Sequence, residues 1–144
     1  MANNVRDAMT ENPRSIGKSV SVVEAARLMR EQDIGSLPIT DDEKLVGMIT
    51  DRDITMRVVA EGGDPQATSV EDVYSQDLIS VEPESDLDEA LRLMARHQVR
   101  RLPVVENGRL VGIVAQADIA LKANETRTGE LVEAISAPSE GDRS

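Results

Sequence analysis

The sequence predicts an α+β fold of two tandem β-α-β-β-α repeats packed about a pseudo-two-fold axis. Three observations predict it. The first is an internal repeat: Leu37-Pro38-Ile39 returns as Leu102-Pro103-Val104, Leu45-Val46-Gly47-Met48-Ile49 as Leu110-Val111-Gly112-Ile113-Val114, and Asp53-Ile54 as Asp118-Ile119, always 65 residues later. Self-similarity at a fixed period marks one supersecondary unit that needs its copy to bury its apolar face. The second is that each copy carries helix-spaced apolar residues followed by two short strand-like runs. The third is size. At 144 residues each copy alone is near the length at which a core becomes marginal, so the copies should pack on each other.

Each element can be justified in order. A short extended piece opens each copy, at Ser15-Ile16 and at Leu78-Ile79-Ser80-Val81. A helix follows. Ser21 with Glu24 forms a capping box, and Asp86 with Glu89 is its acidic counterpart. Val22, Ala25, Ala26 and Met29, and then Leu87, Ala90, Leu91 and Met94, keep the i, i+3, i+4, i+7 spacing of one buried face. The methionines read as core filler. Two strands flank Glu106-Asn107-Gly108-Arg109 in the second copy, and Asn-Gly between apolar runs is a strong hairpin signal. The first copy has Asp41-Asp42-Glu43-Lys44 there, which reads as a looser polar turn. Pro38 and Pro103 suit a strand start or edge.

Further helices open near Asp51 and Gln116, and Gly62-Gly63-Asp64-Pro65 is the linker candidate. The expected organisation is a first repeat over residues 1–66, a second over 67–126, and a C-terminal segment over 127–144. That last segment carries a short helix from Gly129 to Ile135 and a disordered tail from Pro138 to Ser144.

Composition narrows the function. The chain holds 27 acidic and 16 basic residues, a net charge of −11. Neutralising phosphodiesters needs clustered cations, so neither nucleic acid nor an anionic membrane is an expected partner. There is no cysteine and one histidine, His97, so no disulfide, no zinc site and no Cys-His pair is expected. Phe and Trp are absent and Tyr74 is the only aromatic residue, which disfavours a ligand held by aromatic stacking. No run reaches the length of a membrane span and the first residues lack a signal peptide's apolar stretch, so a cytoplasmic protein is expected.

Gly47-Met48-Ile49-Thr50-Asp51-Arg52-Asp53 has the form Gly-x-x-Thr-x-x-Asp, with Leu37-Pro38-Ile39 just upstream. This resembles the cystathionine β-synthase (CBS) domain, and the tandem copies resemble a CBS pair, or Bateman module, over about residues 5 to 122. Asp33-Ile34-Gly35-Ser36-Leu37-Pro38, Thr50-Asp51-Arg52-Asp53-Ile54 and His97-Gln98-Val99-Arg100-Arg101-Leu102-Pro103 bring it closer to small stand-alone CBS-pair proteins of actinobacteria.

The resemblance implies a non-catalytic regulatory module that binds an adenosine-containing nucleotide of the AMP, ADP or ATP class between the repeats. It would signal by a conformational or dimer change, in a setting such as stress response. It implies no cofactor beyond Mg²⁺ accompanying a nucleotide, a homodimer, and a regulated partner protein. The alternative is a ligand-free, dimeric interaction or scaffold protein. The apolar residues of Ile54-Thr55-Met56-Arg57-Val58-Val59 and Ile119-Ala120-Leu121 could supply the dimer contact or be internal core.

The resemblance assigns phosphate contact to Thr50 and ribose contact to Asp53. The same pair also reads as a helix cap and its acidic third residue. Arg100 and Arg101 replace Gly35 and Ser36 of the first copy. Adjacent cations in an acidic chain suggest an anion partner or salt bridges to surface carboxylates, and the resemblance implies that they face the phosphates of a nucleotide held by Asp53. Ser15 and Ile16 complete this first site. Ile16, Val81, Ile39 and Val104 are the candidates for an adenine wall that the resemblance offers, and each also reads as plain core. A weaker second site comprises Asp118, Ser80, Val81, Gly35 and Ser36. There Thr50 is replaced by Ala115 and Asp51 by Gln116, and a methyl group cannot donate to phosphate. No catalytic constellation is visible.

Overall fold

The computed structural model describes residues 4–74 and 78–122. The helix expected over 129–135 and the tail expected over 138–144 lie outside them. Four short or regular elements open the first repeat: a 3₁₀ turn (Val5–Asp7), β1 (Thr10–Glu11), β2 (Ile16–Gly17) and α1 (Val22–Gln32). The hairpin β3 (Ser36–Asp41) and β4 (Lys44–Thr50) follows, then α2 (Asp51–Ile54), which continues as a π-helical turn over Thr55–Val59. The second repeat holds a 3₁₀ turn (Val70–Asp72), α3 (Leu87–His97), β5 (Arg101–Glu106) and β6 (Arg109–Ala115). Residues 116–122, here α4, are helical.

The two copies superimpose in detail. Ser36 pairs with Thr50 as Arg101 pairs with Ala115, and both hairpins shift register at the same place, after Ile39 and after Val104. Helices α1 and α3 both end on a left-handed residue, Asp33 and Gln98. The buried helix face is Val22, Ala25 and Met29 in one copy and Leu87, Ala90 and Met94 in the other. Two expectations need correction here. Ala26 is exposed, because at the end of the apolar arc it clears the sheet. Asp86 stands at the N-cap of α3 but its side chain makes no capping bond, whereas Ser21 Oγ accepts the Glu24 N–H at 3.4 Å.

The first hairpin turn is also tighter than its sequence implies. Asp42 and Glu43 have φ of 55° and 72°, and Asn107 and Gly108 have 56° and 81°. Two successive positive φ values make the same two-residue turn in both copies. Asp42 accepts positive φ readily and Glu43 does not, and Glu43 is fastened to the other repeat. Its carbonyl accepts the Leu110 N–H at 3.1 Å and its carboxylate accepts from Arg109 Nη1 at 2.7 Å.

That fastening locates the axis. Lys44 lies opposite Arg109, its own repeat equivalent, and the bonds Leu45 N–H to Gly108 C=O and Leu110 N–H to Glu43 C=O exchange under a two-fold rotation. The pseudo-two-fold axis therefore passes between the hairpin tips.

The cores are exchanged at their entrances. Val5 is fully buried in the second repeat's core, with Val81, Met94 and Val104, and its N–H donates to Ser85 C=O at 2.8 Å. Val70 is fully buried in the first repeat's core, with Ile16, Met29 and Ile39, and its N–H donates to Val20 C=O at 2.8 Å. Each repeat thus plugs its partner. Arg6 adds a 2.6 Å ion pair to Glu84, which raises the guanidinium above its ordinary value.

The repeated glycines follow from the crossing. A Cβ on Gly47 would collide with the Tyr74 ring, and one on Gly112 would meet Met9 Sδ and the Thr10 carbonyl. Tyr74 and Met9 belong to the segments that pass over the opposite repeat's hairpin. There β1 adds to β6, with Thr10 opposite Ile113, a strand that the sequence does not announce.

Candidate functional site

Among the described residues the crossing leaves two clefts between the repeats, related by the pseudo-axis. The larger, of about 540 Å³, takes Gly35, Ser36 and Thr50 from the first repeat and Ile79, Arg100 and Arg101 from the second. The smaller, of about 210 Å³, takes Arg14 and Ser36 from the first repeat and Arg101, Ala115 and Asp118 from the second. Repeat-equivalent positions confirm the relation: Thr50 corresponds to Ala115, Ser36 to Arg101 and Ile79 to Arg14.

Local geometry explains how the larger cleft is built. The Asp51 N–H donates to Gly35 C=O at 2.9 Å, which pins the start of α2 beside the entry to β3. The Gln116 N–H donates to Arg100 C=O at 2.8 Å in the same way. These bonds hold residues 35–36 and 100–101 at the strand entries, on opposite walls of one opening. Met48 and Val99 add apolar surface.

Thr50 and Asp53 form a reciprocal cap. Thr50 Oγ1 accepts the Asp53 N–H at 3.0 Å, and Asp53 Oδ2 accepts the Thr50 N–H at 2.9 Å. Asp53 is buried, and its Oδ1 lies 4.0 Å from Arg57 Nε. The pair is therefore a cap; Thr50 lines the larger cleft and Asp53 is not among its lining residues.

Among the described residues, ion pairs engage Arg6, Lys18, Arg27, Arg57 and Arg109. Arg14, Arg100 and Arg101 gather at the clefts, and like Arg30, Lys44, Arg52, Arg92, Arg96 and Lys122 they carry no ion pair among the described residues. Arg100 is exposed and Arg101 half-buried. In a chain of net charge −11, cations left without carboxylates and gathered at a cleft make a local anion-attracting field. Asp33 and Asp51 also line the larger cleft, so its wall carries both signs.

The remaining sequence candidates fall elsewhere. Ser15 is exposed, and Ile16 is core, paired with Ile39 in the parallel β2–β3 contact. Ser80 is exposed, and Val81 is core, bridged to Val104. None of these lines either cleft. Gly35 lines the larger cleft rather than the smaller, and Ser36 lines both. His97 ends α3 on the surface. Sequence reasoning missed Arg14, Ile79 and the acidic pair Asp33 and Asp51. The contrast of Arg14 with Ile79 was visible in the 65-residue offset, but their place in the clefts was not.

Among the described residues, no three His, Cys, Asp or Glu side chains gather as a metal site would require, and no helix is long and apolar enough to cross a membrane.

Comparison with known proteins agrees with this architecture. The CBS domain family model matches residues 5–60 and again 70–124. The chain is 41% identical over 134 residues to Hypoxic response protein 1 of Mycobacterium tuberculosis, covering 92% of this chain and 94% of that protein. Its fold is similar to the crystal structure of Hypoxic Response Protein I with two coordinated zinc ions, at a TM-score of 0.77 and 41% identity, over 83% of this chain and 98% of that one. It is also similar to CBSX2 in complex with AMP, at a TM-score of 0.74 and 28% identity, over 86% of this chain and 98% of that one. Two matched units, one fold and one axis give a single conclusion: the chain belongs to the CBS-domain family, as a tandem CBS pair with the architecture of a regulatory module.

Proposed function

We propose that the protein senses an adenosine-containing nucleotide, of the AMP, ADP or ATP class, in the larger cleft. The observation that carries this reading is the placement of Arg100 and Arg101, without carboxylate partners among the described residues, across a 540 Å³ opening from Thr50. That volume lies in the range of small-molecule sites. Guanidinium groups bind phosphate with charge-assisted, often bidentate hydrogen bonds. Ile79, Met48 and Val99 offer an apolar surface to a base. CBSX2, a structural relative, is described in complex with AMP.

The role we assign is binding: among the described residues of the cleft no hydrogen bond joins a nucleophile to a base. Thr50, Arg100 and Arg101 contact the ligand, and Asp53 holds Thr50 in place. Mg²⁺ enters only with a nucleotide. Binding across two repeats favours one relative arrangement of them, and a partner reads that state. Met56, Val59 and Leu121, which are 50%, 63% and 60% exposed, form the surface through which two copies join as a homodimer. The 41% identity to Hypoxic response protein 1 supports a stress-response setting for this sensing.

Thermal unfolding with AMP, ADP, ATP and adenosine, with and without Mg²⁺, tests the reading. The chain has no Trp, so circular dichroism or an extrinsic dye reports unfolding. A ligand at about 100 times its Kd adds roughly 2.7 kcal/mol, several degrees for a domain of this size. A shift for one nucleotide, lost when Arg100 and Arg101 are both replaced by Ala, is the expected result. No shift for any of them at millimolar concentration would favour the ligand-free scaffold.

A further inference from the structure

The two clefts are not equal copies, and they share a side chain. The smaller has about 210 Å³, below the range of roughly 300–1,000 Å³ usual for drug-sized ligands. Where the larger cleft presents Ile79, the smaller presents Arg14. An apolar wall has been exchanged for a cation. Arg101 lines both clefts. It is half-buried and carries one charge for two openings. Among the described residues neither Arg14 nor Arg101 has a carboxylate within 4.0 Å. Asp118 also lines the smaller cleft, so a ligand there benefits from carrying a hydrogen-bond donor as well as negative charge.

We propose that the smaller cleft is a regulatory site for a small oxyanion of the inorganic phosphate class, which competes with the larger cleft for Arg101. Arg14 and Arg101 hold two of its oxygens, and its P–OH donates to the Asp118 carboxylate. Sulfate has the same shape but no O–H at neutral pH, so it meets Asp118 only with repulsion. An anion in the smaller cleft draws Arg101 away from the larger one and adds its own negative charge beside it. Both effects oppose an anionic ligand in the larger cleft. The coupling is reciprocal, as linkage requires. The anion site stands on its own geometry, while the coupling rests on the nucleotide reading above.

The test uses the full chain and two titrations by calorimetry. In the first, phosphate and sulfate are titrated into nucleotide-free protein and into the Arg14→Ile and Arg100→Ala variants. Phosphate should bind at one site per chain, more tightly than sulfate. That binding should be lost in Arg14→Ile and kept in Arg100→Ala. Equal binding of the two anions, or phosphate binding that survives Arg14→Ile, would overturn the site.

In the second, the nucleotide that shifts unfolding is titrated with saturating phosphate or with sulfate at equal ionic strength. Phosphate should weaken nucleotide binding by roughly fivefold or more, the lower end of ordinary coupling. Sulfate should not, and Arg14→Ile should abolish the effect without changing nucleotide affinity in phosphate-free buffer. Equal weakening by both anions would show charge screening and overturn the competition. Should no nucleotide bind, the first titration still decides the anion site, so the failures of the two readings are told apart.

Discussion

Arg100 and Arg101 matter because of what they do not touch. An exposed ion pair contributes little to stability, so leaving two arginines without carboxylates costs the fold almost nothing, and it keeps their donors available at the cleft. Replacing both with Ala should therefore leave the melting temperature of the free protein nearly unchanged. It should weaken ATP by roughly tenfold or more, as expected for loss of charge-assisted bonds, and adenosine much less. Calorimetric titration of the two ligands reads the difference, and equal losses would mean that the arginines do not meet phosphate. Asp53 makes a different case. Its carboxylate serves the Thr50 cap, so Asp53→Ala should cost about 0.5–2 kcal/mol of stability and weaken nucleotide binding together. Asp53→Asn retains an acceptor for the Thr50 N–H and should keep both near wild type. A loss of affinity in the Asn variant at unchanged stability would show that the carboxylate itself touches the ligand.

At the scale of elements, the hairpins are decided by contacts between repeats. The Gly47 position is occupied from outside by the Tyr74 ring, which arrives on a segment of the second repeat. Gly47→Ala should force the ring or the strand to move, at a cost of about 1–3 kcal/mol, the usual range for overpacking. Chemical denaturation of Gly47→Ala, Tyr74→Ala and the double variant would measure the coupling. Additive losses would mean that the crossing is looser than the structure shows. The Asp42-Glu43 turn follows the same logic. Positive φ at Glu43 is tolerated because Leu110 and Arg109 bind its carbonyl and carboxylate across the axis.

At the scale of the whole molecule, reciprocal plugging by Val5 and Val70 makes the two cores one cooperative unit. Truncating either to Ala removes part of a fully buried side chain, whose complete burial is worth about 1.5–3 kcal/mol. Each variant should lower the midpoint of a single unfolding transition, rather than split it into two. Differential scanning calorimetry checks this, and a separate early transition for one repeat would show that the cores unfold independently. The same connectivity suits a sensor, because a ligand that shifts one repeat against the other moves the plugs of both.

The repeat, its constant offset, the helix faces and the Asn107-Gly108 hairpin were legible in the sequence because local chemistry sets them. Periodicity selects the element, and an Asn-Gly pair accepts positive φ at both turn residues. The reciprocal cap of Thr50 and Asp53 was legible as well, because a hydroxyl at the N-cap and a carboxylate three residues on meet within one turn. That Arg100 and Arg101 face the site of Thr50 and Asp53 from the other repeat was implied by the resemblance to CBS pairs, not by any local pattern. Two things were decided only by tertiary structure. Ile16 and Val81 went to the core, because parallel pairing with Ile39 and Val104 turned them inward. Arg14 entered one cleft and Arg101 both, because the leading segment of each repeat crosses to the other. Such crossings join residues far apart in the chain, and no local pattern of charge or hydropathy encodes which of them will meet.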